Sequence, residues 1–174
     1  AKADASTGKA VGIISRSVQR DRRPTLEELD KLLAHFVDRR KKVPQAVPMH
    51  KVVVFALFST RRQAEITQIT WDDFEKKHKR VLVRDMKHPG EKIGNGTWVD
   101  VPDEAIQVIE SMPKTKPEIF PYSPDAITAN FTRACKLLGI EDLHFHDLRH
   151  EGISRLFEMG WNIPKVAMVS GHRS

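Results

Sequence analysis

The segment that decides the fold is MHKVVVFALFSTRRQAEI, residues 49–66 of a chain of 174 residues. From Met49 to Phe58 it is apolar on most faces of a helix, which is typical of a helix at the centre of a domain. Arg62 and Glu65 follow three residues apart, on the least apolar part of the segment. The pattern predicts one buried helix over residues 49–66, with an arginine oriented by a glutamate at its end.

Helical and extended patterns flank this segment on both sides. Thr25 and Glu28 have the spacing of a capping box, which predicts the start of a helix that the basic run 39–42 ends. Turn-forming residues between two apolar segments predict a hairpin with strands at 80–86 and 97–101. Further helices are predicted at 103–112, 124–138 and 146–159, with a short one after Asn162. The predicted fold class is therefore α+β, mainly α-helical, a helical domain with one small antiparallel β-sheet.

The positive charge of the chain is unevenly distributed. There are 29 Lys and Arg against 23 Asp and Glu, a formal net charge of +6, and residues 1–51 hold 12 basic and 6 acidic side chains. Such clusters are typical of proteins that bind polyanions, but they also occur on ordinary solubilising surfaces. The candidate DNA-binding residues are Arg16, Arg20, Arg22, Arg23, Arg39, Arg40, Lys41 and Lys42.

Composition bounds the class of protein further. Hydrophobic residues make up 40% and charged residues 30% of the chain, which suits one globular domain with a core. No window is apolar over the roughly 18 residues that a membrane helix needs, and no leader is recognisable. The single cysteine, Cys135, favours a reducing compartment, so the expected location is the cytoplasm.

Residues 1–23 are predicted to be a linker or arm and residues 24–174 a domain. His35, His50 and His78 are interpreted as surface or boundary residues.

A set of basic side chains interrupts the packing pattern. His146 and Arg149 lie three residues apart on one helix face, His172 follows an apolar helix, and Lys87 ends the first strand of the hairpin. Together with Arg62 they provide two guanidiniums, one ammonium and two imidazoles. This inventory suits a phosphodiester, because arginines bind its oxygens while lysine or histidine moves a proton. No metal or other cofactor is expected, because the arginines supply the positive charge.

The order and context of these residues resemble the catalytic domain of the tyrosine recombinases, the phage integrase family. The resemblance covers roughly residues 22–174. The motifs that carry it are RPTLEEL from Arg23, Arg-x-x-Glu at 62–65, the hairpin Lys87, His-Asp-Leu-Arg-His at 146–150 and Gly-His at 171–172.

The resemblance implies a site-specific DNA recombinase that breaks and rejoins strands through a 3′-phosphotyrosyl intermediate, for integration, excision or inversion of a mobile element. Arg62 and Arg149 would clamp the scissile phosphate, and Lys87 would protonate the 5′-hydroxyl leaving group. His146 would act as acid or base, and His172 would bind the phosphate or support the nucleophile. Glu65 and Asp147 would not touch the phosphate themselves but would support the residues that do. The implied partners are duplex DNA recombination sites, a homotetramer on DNA and accessory DNA-bending proteins.

Two features depart from the family pattern. Ser59-Thr60 stands where the family usually has Thr-Gly, so the turn there is expected to differ. The only tyrosine, Tyr122, precedes a predicted helix and is interpreted as structural. The nucleophilic tyrosine is therefore expected beyond Ser174, and this segment alone is expected to be inactive and monomeric or weakly associated.

Three alternatives stay open at this stage. A non-catalytic DNA-binding module explains the basic first third, but not the order of the motifs. A type IB topoisomerase shares the chemistry, but its second motif resembles Lys-x-x-Arg rather than His-x-x-Arg. A metal-dependent hydrolase is disfavoured by spacing and by Arg149, which would repel a dication. Its candidate ligands are His144, His146, Asp147, His150 and His172.

Overall fold

A computed structural model describes residues 21–84 and 96–149 of the chain. The helices of this part are α1 (Leu26–Lys42), α2 (Met49–Ser59), α3 (Gln63–Gln68), α4 (Asp103–Glu110) and α5 (Pro124–Leu138). The strands are β1 (Phe74–Glu75), β2 (Arg80–Arg84) and β3 (Gly96–Asp100), and short 3-10 helices occupy Trp71–Asp73, Lys76–His78 and Phe145–Arg149. The predicted class, α+β and mainly helical with one small antiparallel sheet, is confirmed.

Helix α2 lies at the centre of the core, as predicted. Every residue from Val52 to Phe58 is at most 5% exposed. The rings of Phe55 and Phe120 are in contact, with centroids 4.9 Å apart. Each large apolar side chain buried in this way contributes about 1.5–3 kcal/mol to folding. The helices α1, α4 and α5 pack around α2, so the ends of α2 are fixed points in the domain.

The prediction of one helix over residues 49–66 is wrong at its end. Helix α2 stops at Ser59 because Thr60 adopts the left-handed conformation, with φ 56° and ψ 28°, and its amide closes the helix on the carbonyl of Ala56. A non-glycine residue in this conformation costs about 1–2 kcal/mol. The next helix begins at Gln63, with Arg62 extended as its N-cap. Arg62 and Glu65 therefore start α3 instead of ending the buried helix.

The helix boundaries that were predicted from capping residues are confirmed. The Thr25 side chain accepts the Glu28 amide while the Glu28 carboxylate accepts the Thr25 amide, so α1 begins with a complete capping box. Helix α5 begins where Ser123 Oγ accepts the Ala126 amide at 3.1 Å. It ends at Gly139, whose φ of 73° is the left-handed geometry that glycine adopts without strain.

The sheet has the order β1-β2-β3, with both pairs antiparallel. The two-residue strand β1 was not predicted, because its alternation is too short to see in sequence. In β2, Val81 and Val83 face the core, while Arg80, Leu82 and Arg84 lie on the other face. The Arg84 guanidinium donates to the Asp73 carboxylate at 2.7 Å, and Asp73 is 3% exposed. This ion pair fixes the end of β2.

Several predictions fall partly or wholly outside the described residues. These are the linker 1–20, Arg16 and Arg20, the hairpin loop with Lys87, and everything from His150 to Ser174, His172 included. The predicted helix 146–159 is described only over its first residues, which form a 3-10 helix instead of an α-helix. In the described ranges, no helix is both long and apolar enough to cross a membrane.

His50 is buried, with 5% of its surface exposed, so its interpretation as a surface or boundary residue is wrong. It lies in the first turn of α2, where its Nδ1 has no hydrogen-bond partner among the described residues. Burial, together with the charges of Lys51 and Arg40, lowers the pKa of His50 to about 4.

This burial makes stability depend on pH. The unfolded chain takes up a proton on His50 near its ordinary pKa of about 6.5, while the folded chain does not, so stability present above pH 6.5 is lost as the pH falls toward 4. We expect the free energy of unfolding to be lower at pH 5 than at pH 7 by about 2 kcal/mol from this group. Urea unfolding of His50→Leu should show that much less acid sensitivity than the wild type. The control His78→Leu, at an exposed histidine, should keep the full sensitivity; equal losses in all three proteins would contradict the prediction.

Candidate phosphate-binding site

Arg62 stands at the start of α3 with its guanidinium half open to solvent. The Glu65 carboxylate binds Arg62 at two points, since Oε1 accepts the backbone amide at 3.0 Å and Oε2 accepts the guanidinium Nη1 at 3.5 Å. The side chain of Arg62 is 41% exposed, whereas that of Glu65 is 13% exposed. The guanidinium is therefore oriented on one side by Glu65 and is accessible on the other, as the predicted pair requires.

Arg149 meets the same turn from a distant part of the sequence. Its Nε donates to the carbonyl of Thr60 at 3.0 Å. Burial lowers the pKa of Arg149, and the neighbouring charge of Arg62 lowers it further, while Glu65 opposes this. Because Arg62 acts on this pKa, the two guanidiniums lie within electrostatic range of one another. Thr60 is two residues before Arg62 in the chain, so this hydrogen bond ties Arg149 to the turn that leads into Arg62.

The 3-10 helix Phe145–Arg149 carries the rest of the described motif. With three residues per turn, His146 and Arg149 lie one turn apart on the same side of it. Asp147 is fully buried, and its Oδ2 accepts the His144 amide at 2.8 Å. Asp147 therefore holds the helix that presents Arg149, which supports the positioning role predicted for it.

The predicted basic cluster is divided between two places. The Arg22 guanidinium binds both carboxylate oxygens of Glu28, at 3.0 and 2.9 Å, and also donates to the Glu141 carbonyl. Arg22 thereby joins the start of α1 to the segment before the 3-10 helix. The remaining cluster, Arg39, Arg40, Lys41 and Lys42, forms the last turn of α1.

This last turn lies at the other end of α2 from the arginine pair. Arg40 acts on the pKa values of His50 and Lys51, which are in the first turn of α2. Thr60, which contacts Arg149, ends that helix. The 11 residues of α2 span about 16 Å. DNA contact by this cluster stays a prediction, and the cluster is separate from Arg62 and Arg149.

Neither Tyr122 nor Cys135 has the setting of a nucleophile. Tyr122 packs against the core, and burial raises its pKa. The charge of Arg40, in the last turn of α1, partly opposes this rise in the pKa of Tyr122. Burial raises the pKa of the Cys135 thiol to about 11. A thiol with that pKa is inert near neutral pH.

The metal-hydrolase alternative gains no support from the described ranges. Within residues 21–84 and 96–149, no three His, Cys, Asp or Glu side chains are grouped so that they could hold a metal. Asp147 is turned to the backbone amide of His144.

Arg61 is a site residue that the sequence analysis missed. Its Nη1 lies 3.7 Å from Glu65 Oε1, and its charge acts on the pKa of Arg149. The available signal was its spacing of four residues from Glu65, which would place both side chains on one face of the helix predicted over residues 49–66.

The fold and the arrangement of Arg62, Glu65 and Arg149 agree with the family that the sequence motifs resemble. The chain belongs to the phage integrase family, whose model matches residues 23–174. It is 36% identical over 157 residues to the shufflon-specific DNA recombinase of Escherichia coli, covering 89% of this chain. The chain spans 38% of the length of that recombinase.

Solved structures show the same fold. A lambda integrase fragment (75-356), solved as a dimer bound to a COC′ core site, matches with a TM-score of 0.56 and 20% identity, covering 91% of this chain and 60% of that one. A lambda integrase tetramer bound to a Holliday junction matches with a TM-score of 0.56 and 20% identity, covering 91% of this chain and 48% of that one.

Proposed function

We propose that the protein containing this chain is a site-specific DNA recombinase, and that residues 24–174 belong to its catalytic domain. The observation that carries the proposal is the hydrogen bond from Arg149 to the Thr60 carbonyl, which ties Arg149 to the turn that leads from α2 into Arg62. Membership of the phage integrase family and the likeness to a shufflon-specific DNA recombinase support the same activity. The reaction would break and rejoin DNA strands during integration, excision or inversion of a mobile element.

In this proposal the arginine pair performs the electrostatic part of the reaction. The two guanidiniums bind the non-bridging oxygens of the scissile phosphate and neutralise the charge that develops as the phosphorus becomes pentacoordinate. His146, on the same 3-10 helix as Arg149, transfers a proton at the reacting oxygens. Lys87 protonates the departing 5′-oxygen, and His172 binds the phosphate or supports the nucleophile.

The nucleophile in this proposal is a tyrosine outside this chain. Tyr122 packs against the core, and this chain contains no other tyrosine. Attack on the phosphate forms a 3′-phosphotyrosyl ester and releases a 5′-hydroxyl. The 5′-hydroxyl of a partner strand then attacks this ester, which rejoins the DNA and releases the tyrosine. The ester conserves the energy of the broken bond, so rejoining requires no ATP.

The proposed assembly is a homotetramer on two duplex recombination sites. One related structure, with the same fold, is an integrase tetramer bound to a Holliday junction. The expected cellular setting is the cytoplasm, on DNA. Accessory DNA-bending proteins stay candidate partners.

A nicked suicide substrate tests the proposal. The full-length protein and this chain alone are incubated with a duplex that carries the element's own recombination site and a nick beside the scissile phosphate. We expect a covalent adduct with the full-length protein, mapped by mass spectrometry to a tyrosine other than Tyr122. This chain alone should bind the duplex with strongly salt-dependent affinity and form no adduct.

The alternatives give different outcomes. A non-catalytic DNA-binding module would bind the duplex, yet the full-length protein would form no adduct. An adduct at Tyr122 would show that the assignment of the nucleophile is wrong.

A further inference from the structure

Arg61 shares the carboxylate that orients Arg62. Glu65 Oε1 lies 3.7 Å from Arg61 Nη1 and also accepts the Arg62 amide at 3.0 Å. The other oxygen, Oε2, faces Arg62 Nη1 at 3.5 Å. One carboxylate therefore serves two adjacent arginines: the guanidinium of Arg61 lies at Oε1 and that of Arg62 at Oε2.

The two arginines are held to different degrees. Arg61 donates through its Nε to the Ser59 carbonyl and through its amide to Ser59 Oγ, both at 3.2 Å. Its side chain is 22% exposed, compared with 41% for Arg62. Arg61 is therefore fixed against the end of α2, and the guanidinium of Arg62 is the more accessible one.

The charges of the site do not cancel. Arg61, Arg62 and Glu65 all act on the pKa of Arg149, so these four groups lie within electrostatic range of one another. They comprise three guanidiniums and one carboxylate, a net positive charge of two. A phosphodiester carries one negative charge and gains a second as the phosphorus becomes pentacoordinate, so each fixed cation at the site favours the transition state over the bound substrate.

We propose that Arg61 is a third guanidinium of this phosphate site, a positioning residue that holds the Glu65 carboxylate and leaves the charge of Arg62 available to the phosphate. This inference rests on the proposed recombinase function. Without Arg61, the carboxylate keeps only Arg62 as a partner and closes on its guanidinium, which neutralises the cation that should bind the phosphate. The net charge of the four groups falls by one at the same time.

The test uses the full-length protein and single-turnover cleavage of the nicked suicide substrate. Arg61→Met is expected to cleave about 10-fold more slowly, with duplex affinity and melting temperature close to the wild type. Arg61→Lys should recover most of the rate, because it restores the charge beside Glu65. The control Lys31→Met removes one positive charge from an exposed position on α1 and should cleave like the wild type.

A second substrate separates an electrostatic role from a merely structural one. Replacing the scissile phosphate with a neutral methylphosphonate removes one negative charge from the transition state, so the defect of Arg61→Met should shrink to about twofold or less. An equal defect on both substrates would overturn the inference, as would wild-type cleavage by Arg61→Met of the ordinary substrate. The variant Arg62→Ala separates the role of Arg61 from the proposed function: if it also cleaves normally, the proposed function fails, and if it does not, only the role of Arg61 is lost.

Discussion

Replacing Arg149 with alanine in the full-length protein is expected to slow strand cleavage by about 10²–10³-fold, while the affinity for duplex DNA changes by no more than a few-fold. The guanidinium is partly buried at the turn after α2, and within residues 21–84 and 96–149 only its Nε is bound, to the Thr60 carbonyl. Its remaining donors can bind a phosphate. One phosphate contact contributes little to the affinity of a long duplex, but the same contact strengthens when the phosphorus gains charge. The measurement is single-turnover cleavage and equilibrium binding on one substrate.

The matched control is Arg133→Ala, which removes an arginine from the exposed side of α5, where it binds only Asn130 among the described residues. Its cleavage rate should equal that of the wild type. The Arg149 variant loses a hydrogen bond to Thr60, so its melting temperature must be compared as well. If binding and cleavage fell together in a folded Arg149→Ala protein, this arginine would only contact the DNA backbone. The prediction that it clamps the scissile phosphate would then be wrong.

The sequence predicted the elements whose signals are local. Capping residues such as Thr25, Ser123 and Gly139 mark helix ends through hydrogen bonds that span only a few residues, so the bounds of α1 and α5 follow from the sequence. The apolar run that forms α2 also needs no partner to be recognised as a buried helix.

The break after α2 could not be predicted in the same way. Thr60 is β-branched and has no preference for the left-handed conformation, so nothing local marks it as the end of a helix. The distant Arg149 binds the Thr60 carbonyl, so tertiary contacts support a backbone geometry that intrinsic preference disfavours. This break places Arg62 at the start of a new helix, although the three-residue spacing from Glu65 remains the same in either arrangement.

The site shows the same division between local and distant contacts. The resemblance implied that Arg62 and Arg149 clamp one phosphate, which stays a prediction, and Arg149 binds the carbonyl of Thr60, two residues before Arg62. The sequence did not reveal Arg61, whose role depends on the fold of Ser59 and Thr60 around it. Nor did it show that Arg22 binds Glu28 and that the last turn of α1 lies at the far end of α2. Counting charges along the chain cannot show which of them are already paired.

A second large effect on the cleavage rate is expected when Lys87 is replaced. Lys87 is three residues beyond Arg84, and the ion pair of Arg84 with buried Asp73 fixes the end of β2. In the full-length protein, Lys87→Ala should slow cleavage by about 10²–10⁴-fold, because an alkoxide is a poor leaving group without a proton donor. A substrate with sulfur in place of the bridging 5′-oxygen removes that need, since a thiol of pKa about 8.5 leaves readily as the thiolate. The variant should therefore cleave the sulfur substrate at close to the wild-type rate.

The sulfur substrate should restore the cleavage rate of the Lys87 variant only. Arg149→Ala should stay slow on the sulfur substrate, because the charge on the non-bridging oxygens still develops and still lacks its partner. Lys92→Ala, which removes a lysine from the predicted loop five residues further along the same hairpin, should cleave both substrates normally. A Lys87 variant that stayed equally slow on both substrates would show that this lysine does not protonate the leaving group. The proton would then have to come from another residue, and His146 would be the first to test, because it shares a 3-10 helix with Arg149.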